Sequence, residues 1–195
     1  MDVTDTASSG RIGRPPKLDA HGTPTRERLI NAAVACCVEN GYEGATLSDI
    51  AKRADVSTPA IYSHFSGKAE LLVEANRYEL SKISSGDLVA AGGLRQLVVR
   101  WLQPDFANTR VLVAELHCAA VRHSDVAELL DAWQTENAAS LHTEGGLTMS
   151  QVKWYYLLLL GAAQLDRMSA MGVSSHDTEA EVNRLLEAWF GTRYD

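Results

Sequence analysis

The chain has 195 residues, 46% hydrophobic and 22% charged, which fits one moderate or two small globular domains and is too apolar for a disordered chain. The net charge of −7 argues against polyanion binding by the whole surface, and three cysteines, two of them adjacent, exclude a disulfide framework. The longest apolar run, 154–163, is about half of what a helix needs to cross a bilayer, and no charged-then-apolar leader opens the chain, so a soluble cytoplasmic protein without a membrane partner is expected.

The charge is uneven. Residues 11–82 carry ten Lys/Arg against nine Asp/Glu, whereas 83–195 carry eight against fourteen. Two halves with different partners are expected, and a local cationic face stays open for the first.

Four of the five prolines fall in the first 59 residues, no stretch alternates like a half-buried strand, and helical periodicity recurs throughout. Residues 1–22 are small, polar and broken by Gly and Pro, the composition of a disordered arm. A first helix is predicted from about Thr25 to Asn40, stopped by Gly41, with Leu29, Ile30, Ala33, Cys37 and Val38 on its core face. Both neighbouring cysteines then read as small buried hydrophobes.

A short helix is predicted over Leu47–Ala54, with Thr46 as N-cap and Asp49 at capping-box spacing. Asp55-Val56-Ser57 forms a turn. A second short helix spans Pro59–Phe65 with Thr58 as its cap, and a longer one runs from Lys68 to about Ser84. Gly86 and Gly92-Gly93 mark a linker. Five further helices are expected at about 94–103, 106–122, 125–142, 149–171 and 178–190, with capping boxes at Thr148/Gln151 and Thr178/Glu181. The fold class is all-α, about nine helices in two bundles.

Residues 46–65 carry the informative pattern. Two helices of about two turns, joined by three residues, cross steeply and need a small residue where they meet. Ala51 supplies it, and Leu47, Ile50, Val56, Ile61 and Phe65 form the shared core. This is helix-turn-helix spacing, in which the second helix enters the major groove. The apolar pattern alone would equally suit a generic helical pair.

The residues from Thr25 to Ala75 resemble the TetR/AcrR family of bacterial transcriptional regulators. The likeness rests on Ala32-Ala33, Asn40-Gly41-Tyr42, Gly44-Ala-Thr46, Ile50-Ala51, Val56-Ser57, Ile61-Tyr62-Ser63-His64-Phe65 and Lys68-Ala-Glu-Leu-Leu72, all at the family's spacing. Asp55 departs from it, standing where the family often has Gly. A left-handed turn residue is expected there, which Asp tolerates at modest cost.

The resemblance implies an arm at 1–22, a DNA-binding head at 23–83 and an effector-binding, dimerising domain at 84–195. It implies that Thr46 and Lys68 hold phosphates at helix N-termini, that Tyr62 bonds a phosphate, and that His64 lies near the backbone. Thr58, Pro59, Ala60 and Ser63 would face the bases. In the arm, Arg11 and Arg14, in the segment 11–17 around Gly13-Arg14-Pro15, are similar to an AT-hook that enters a narrow minor groove; a merely soluble tail fits the same residues.

For the second domain the resemblance implies a small-molecule pocket and dimerisation through the last two helices. The bulky or semi-polar residues Trp101, Phe106, Leu112, Leu116, His117, Trp133, Tyr156 and Met168 are the pocket candidates, and plain core is the competing role for each. Trp154, Leu158, Ala162, Leu185 and Trp189 are the candidates for the homodimer interface. His117, Cys118 and His123 do not share one helix face, so no metal site is expected. With no phosphate-cradling glycine loop and no nucleophile elbow, no cofactor, catalytic residue or enzymatic activity is expected.

The function expected is a dimeric repressor released from a palindromic operator by a small, largely apolar effector. A ligand-independent DNA-binding protein or activator shares the same head. A binding protein or enzyme on a helical bundle, with the helix-turn-helix only structural, is the rival from another class.

Overall fold

The computed structural model describes residues 24–83 and 97–167, together with helical residues 180, 184, 185, 187 and 188. All regular structure among the described residues is helical. Three elements build the head, α1 (Thr25–Gly44), α2 (Leu47–Arg53) and α3 (Thr58–Ile61); α4 (Lys68–Ser81) leads out of it. The body follows with α5, of which 97–101 are described, a 3-10 turn Pro104–Phe106, α6 (Ala107–Ala120), α7 (Ser124–Thr143) and α8 (Met149–Arg167). The expected helices at 149–171 and 178–190 run partly outside the described residues, as does the Thr178/Glu181 box.

Local chemistry sets the boundaries. Gly41, expected to stop the first helix, has φ 71° and ψ 175°, and the chain resumes helical turns for three residues beyond this kink. Thr46 caps α2 by accepting from the Asp49 N–H at 3.1 Å, while its hydroxyl donates to the Asp49 carboxylate at 2.6 Å. Asp55 adopts φ 53°, the left-handed conformation expected of the turn. The N-cap of α3 is Ser57 rather than Thr58, because Pro59 sits one position further into the helix. After Ile61 the expected helix tightens into turns in which the Ser63 and His64 N–H groups reach back three residues, at 3.3 and 2.8 Å. Pro104, expected only as a separator, starts the 3-10 turn that runs into α6. Thr148 and Gln151 form their capping box, each backbone N–H meeting the other's side chain at 2.8 and 3.2 Å.

Two apolar clusters hold the molecule together. The head cluster joins Leu29, Ile30, Ile50, Ile61, Phe65, Leu71 and Leu72 and is completed by Leu112 and Leu116 of α6. The body cluster gathers Trp101, Phe106, Leu130, Trp133, Tyr155 and Leu159 and is entered from the head side by Leu80 and Ile83. Thus α4 serves both clusters and α6 lies against both, so the head is seated on the body.

Polar contacts fix this seat. The Tyr42 N–H donates to the Glu115 carboxylate at 3.0 Å, His123 meets Glu43 at 2.8 Å, and the Tyr42 and His123 rings lie 5.1 Å apart. The His123 contact, with Arg122 behind it, holds the Glu43 carboxyl below its ordinary pKa. Arg110 is fully buried and gives its guanidinium to the carbonyls of Trp101 and Gln103, at the exposed end of the α5 hydrogen-bond ladder.

Candidate nucleic-acid interface and body recess

The outer face of the head is built by the short α3. Ile61 and Phe65 anchor it at 0 and 3% exposure, and Pro59, Tyr62, Ser63 and His64 consequently face solvent. Tyr62 is 59% exposed, although it is a large aromatic. Thr58 and Ala60 are half-buried at the flank of the same helix. The Ser63 hydroxyl donates to the Ala60 carbonyl at 2.7 Å, which leaves its oxygen able to accept. Thr46 is exposed at the start of α2, with its hydroxyl engaged by Asp49.

Charge on this head is mostly neutralised within the molecule. Arg26 pairs with Glu74 and Arg53 forms a fork on Glu39 at 2.6 and 2.7 Å, which holds the Glu39 carboxyl below its ordinary range. Arg28 donates to the Ala54 carbonyl at the end of α2. Lys68 is half-buried: its Nζ donates to the Tyr42 carbonyl at 2.9 Å and lies 4.2 Å from that ring's centre. It therefore ties the start of α4 to the end of α1, a structural job that its sequence position did not disclose. Lys52 is exposed on α2. Arg11 and Arg14 lie outside the described residues.

In the body, α4, α6, α7 and α8 enclose a narrow recess lined by Asn76, Leu80, Val113, His117, Trp133, Gln134, Tyr156, Leu159 and Leu160. Three of the sequence-derived pocket residues, His117, Trp133 and Tyr156, meet there. Leu112 and Leu116 instead turn into the head cluster, because α6 passes between the two cores. Trp101 and Phe106 are body core, the Trp101 indole donating to the Leu159 carbonyl at 3.2 Å. Met168 lies outside the described residues. The recess holds about 10 Å³ of space open to a water-sized molecule, which is room for about one water.

Polar side chains border the recess, although its surface is mainly apolar. His117 donates from Nδ1 to the Val113 carbonyl at 2.8 Å, so Nε2 is the acceptor for the Gln134 amide, also at 2.8 Å. Burial lowers the His117 pKa against the upward pull of the Val113 bond, which agrees with a neutral ring. The Tyr156 hydroxyl accepts from Asn137 at 2.9 Å and donates to the Gln134 carbonyl at 3.3 Å; burial raises its pKa. Asn76 was not among the sequence candidates. It is 1% exposed, and neither its Oδ1 nor its Nδ2 has a hydrogen-bond partner. The signal available was spacing: Asn76 stands four residues from both Leu72 and Leu80, on the buried stripe of α4.

The interface candidates divide. Trp154 is 44% exposed and Leu185 is 44% exposed, whereas Ala162 is buried in the body core and Leu158 packs partly against it. The open stripe of α8 runs instead through Trp154, Leu157 and Gly161, at helical spacings of three and four. Trp189 lies outside the described residues. No helix among those described is long and apolar enough to cross a membrane.

A short helix pair with an outward-facing second member, seated on a helical body, defines a helix-turn-helix protein of the two-part type. Residues 29–75 match the family model of bacterial regulatory proteins, tetR family. The chain is 37% identical over 82 residues to the HTH-type transcriptional repressor KstR of Rhodococcus jostii, covering 42% of this chain and 39% of that protein. It is 36% identical over 90 residues to the HTH-type transcriptional activator FasR of Mycolicibacterium smegmatis, covering 44% and 41%. It thus spans about two fifths of the length of these curated relatives. A TetR-family transcriptional regulator from Rhodococcus sp. shares the fold with a TM-score of 0.64 at 20% identity, over 84% of this chain and 97% of that one. The head of this chain, over residues 29–75, thus carries the sequence pattern of the tetR family of bacterial regulatory proteins, and the described helices share the fold of the solved regulators it resembles.

Proposed function

We propose that this chain is a cytoplasmic, homodimeric transcriptional regulator that binds a palindromic DNA operator and is released from it by a small-molecule effector. The observation that carries the proposal is the outer face of α3, where Pro59, Tyr62, Ser63 and His64 stand in solvent around a helix anchored by Ile61 and Phe65. In the major groove, Pro59 and Ala60 would make apolar contact with base edges, and Thr58 and Ser63 would hydrogen-bond either to bases or to phosphates. Tyr62, Thr46, His64 and the remaining donors of Lys68 would fix the register on the phosphates. Arg11 and Arg14 of the arm would reach the adjacent minor groove.

A second copy would pack against Trp154, Leu157 and Gly161 of α8 and against the exposed Leu185, so that two heads read two half-sites related by a twofold axis. The effector would enter the body at the recess beside α4. It must bind one head spacing better than the other, since equal affinity for both would shift nothing. The similarity to an activator as well as a repressor leaves the sign to be read from a reporter.

The test is fluorescence anisotropy of the full chain on the intergenic DNA beside its own gene and on fragments selected from the whole genome, against scrambled DNA at two salt concentrations. Selective binding that weakens with salt is expected, because phosphate contacts release counterions. Equal binding to every fragment, or binding indifferent to salt, overturns the proposal.

A further inference from the structure

We propose that the body recess takes a small, uncharged, flat molecule whose head group both donates and accepts hydrogen bonds, such as a primary amide or lactam, and that Asn76 is the residue that pairs with it. This rests on the ligand-released reading above and adds to it the chemical class of the ligand and the residue that reads it.

Asn76 carries the argument. A side-chain amide offers two donors and an acceptor, and buried amides are nearly always satisfied. Here both ends are orphaned at 1% exposure, on a residue of the recess lining. His117 spends both ring nitrogens on Val113 and Gln134, and the Tyr156 hydroxyl is committed to Asn137 and Gln134. Among the fully buried side-chain donors and acceptors of this lining, those of Asn76 alone have no partner, and a planar amide complements them in one orientation.

The remaining lining sets charge and shape. None of its nine residues carries a formal charge while the His117 ring is neutral. A carboxylate or phosphate entering would lose its hydration without gaining a counter-charge, which excludes anions as good occupants. Trp133 and Tyr156 with Leu80, Leu159 and Leu160 offer apolar walls suited to a ring.

Size supplies the coupling. With room for about one water, the recess admits a ring only by parting α4 from α6 and α7. Asn76 lies eight residues along α4 from Lys68, about 12 Å at helical rise, and Lys68 holds the carbonyl of Tyr42 in the head. A ligand gripped by Asn76 therefore acts on the helix that positions the reading head.

The test uses three probes of matched shape on the full chain by titration calorimetry at pH 7.5: 2-naphthamide, 2-naphthoate and 2-methylnaphthalene. The amide is expected to bind at least ~10-fold more tightly than either of the others, equal to about 1.4 kcal/mol. Asn76→Leu, which replaces the amide by an apolar side chain of similar size, is expected to remove the preference for amide over hydrocarbon. Asn76→Ala serves the same purpose if the leucine is too bulky to fold. Binding of the naphthoate equal to that of the amide, an unchanged preference in the variants, or no probe binding at all (a site for a single water only) overturns the proposal. Anisotropy on operator DNA is recorded in parallel. Amide binding without DNA release keeps the site and overturns the release reading; release by other molecules without an amide preference does the reverse.

Discussion

Replacing Gly41 by alanine tests the kink that ends the first helix and seats the head on the body. Gly41 has φ 71° and ψ 175°, and a Cβ there would stand 3.1 Å from the Oε2 of Glu115, the atom that accepts the Tyr42 N–H at 3.0 Å. The backbone conformation is nearly reserved for glycine and costs an alanine about 1–3 kcal/mol. If Glu115 withdraws to make room, the Tyr42 N–H loses a charged acceptor, a further loss of about 1.5–3 kcal/mol. Alanine also restricts the unfolded chain, which returns about 0.4–1 kcal/mol. The net expectation is a destabilisation of about 1.5–5.5 kcal/mol, or a urea midpoint lowered by about 1–3 M at a typical slope.

Two sister substitutions separate the contributions. Gly146 has φ 66° with nothing near its missing Cβ, so Gly146→Ala carries only the backbone cost and is expected to lose about 1 kcal/mol. Gly161 is helical and open within one chain, so Gly161→Ala is expected to gain about 0.5–1 kcal/mol at protein concentrations low enough for monomer. The assay is urea unfolding of all three variants at several protein concentrations. A loss for Gly41→Ala equal to that for Gly146→Ala would refute the role given to Glu115. A change below about 0.5 kcal/mol would refute the strained kink itself.

Asp55→Gly is expected to stabilise the head by up to about 1 kcal/mol, since φ 53° suits glycine better, with DNA binding unchanged; a melting temperature that falls would contradict this. Lys68→Ala is expected to weaken DNA binding similarly on all operator sequences and to flatten the salt slope by about one unit per head. An unchanged slope together with lower stability would leave Lys68 only as the pin on Tyr42. Leu157→Glu is expected to yield monomers by sedimentation while helical content holds, because Leu157 is 57% exposed; an intact dimer would move the interface elsewhere. The fourth expectation concerns pH. The His117 pKa is lowered in the folded protein, so below the ordinary value of 6.5 the unfolded chain binds the proton first. The stability that depends on the neutral ring is then complete above pH 6.5 and is lost as the pH falls from there towards the folded pKa. Urea midpoints at pH 7.5 and 5.5 should therefore differ less in His117→Gln than in the parent, and equal differences would refute the assignment.

Similarity of the recess to a general core explains why its residues were only partly legible. Periodicity reports that a helical residue is buried but not against what. Leu112 and Leu116 lie on the buried face of α6 as expected, yet that face meets the head, while Val113, one position around, meets the recess. Ala162 and Leu157 both belong to an apolar run, and only the packing of α8 on α6 turns the first inward and leaves the second open.

What the sequence determined by itself was local. Proline at the start of α3, Thr46 with Asp49, glycine at the end of α1 and aspartate in a left-handed turn act through their own backbone and the next few residues, so their effects are written in spacing. The crossing of α2 and α3 is equally local, because only four residues, 54–57, join them and the small Ala51 is buried between. The seat of the head on α6, the use of Lys68 as a tie to Tyr42, the burial of Arg110 beneath the end of α5 and the unpartnered amide of Asn76 were decided by tertiary structure. Each depends on groups brought together from distant parts of the chain, and a hydrogen bond or its absence between such groups has no signature until the helices have packed.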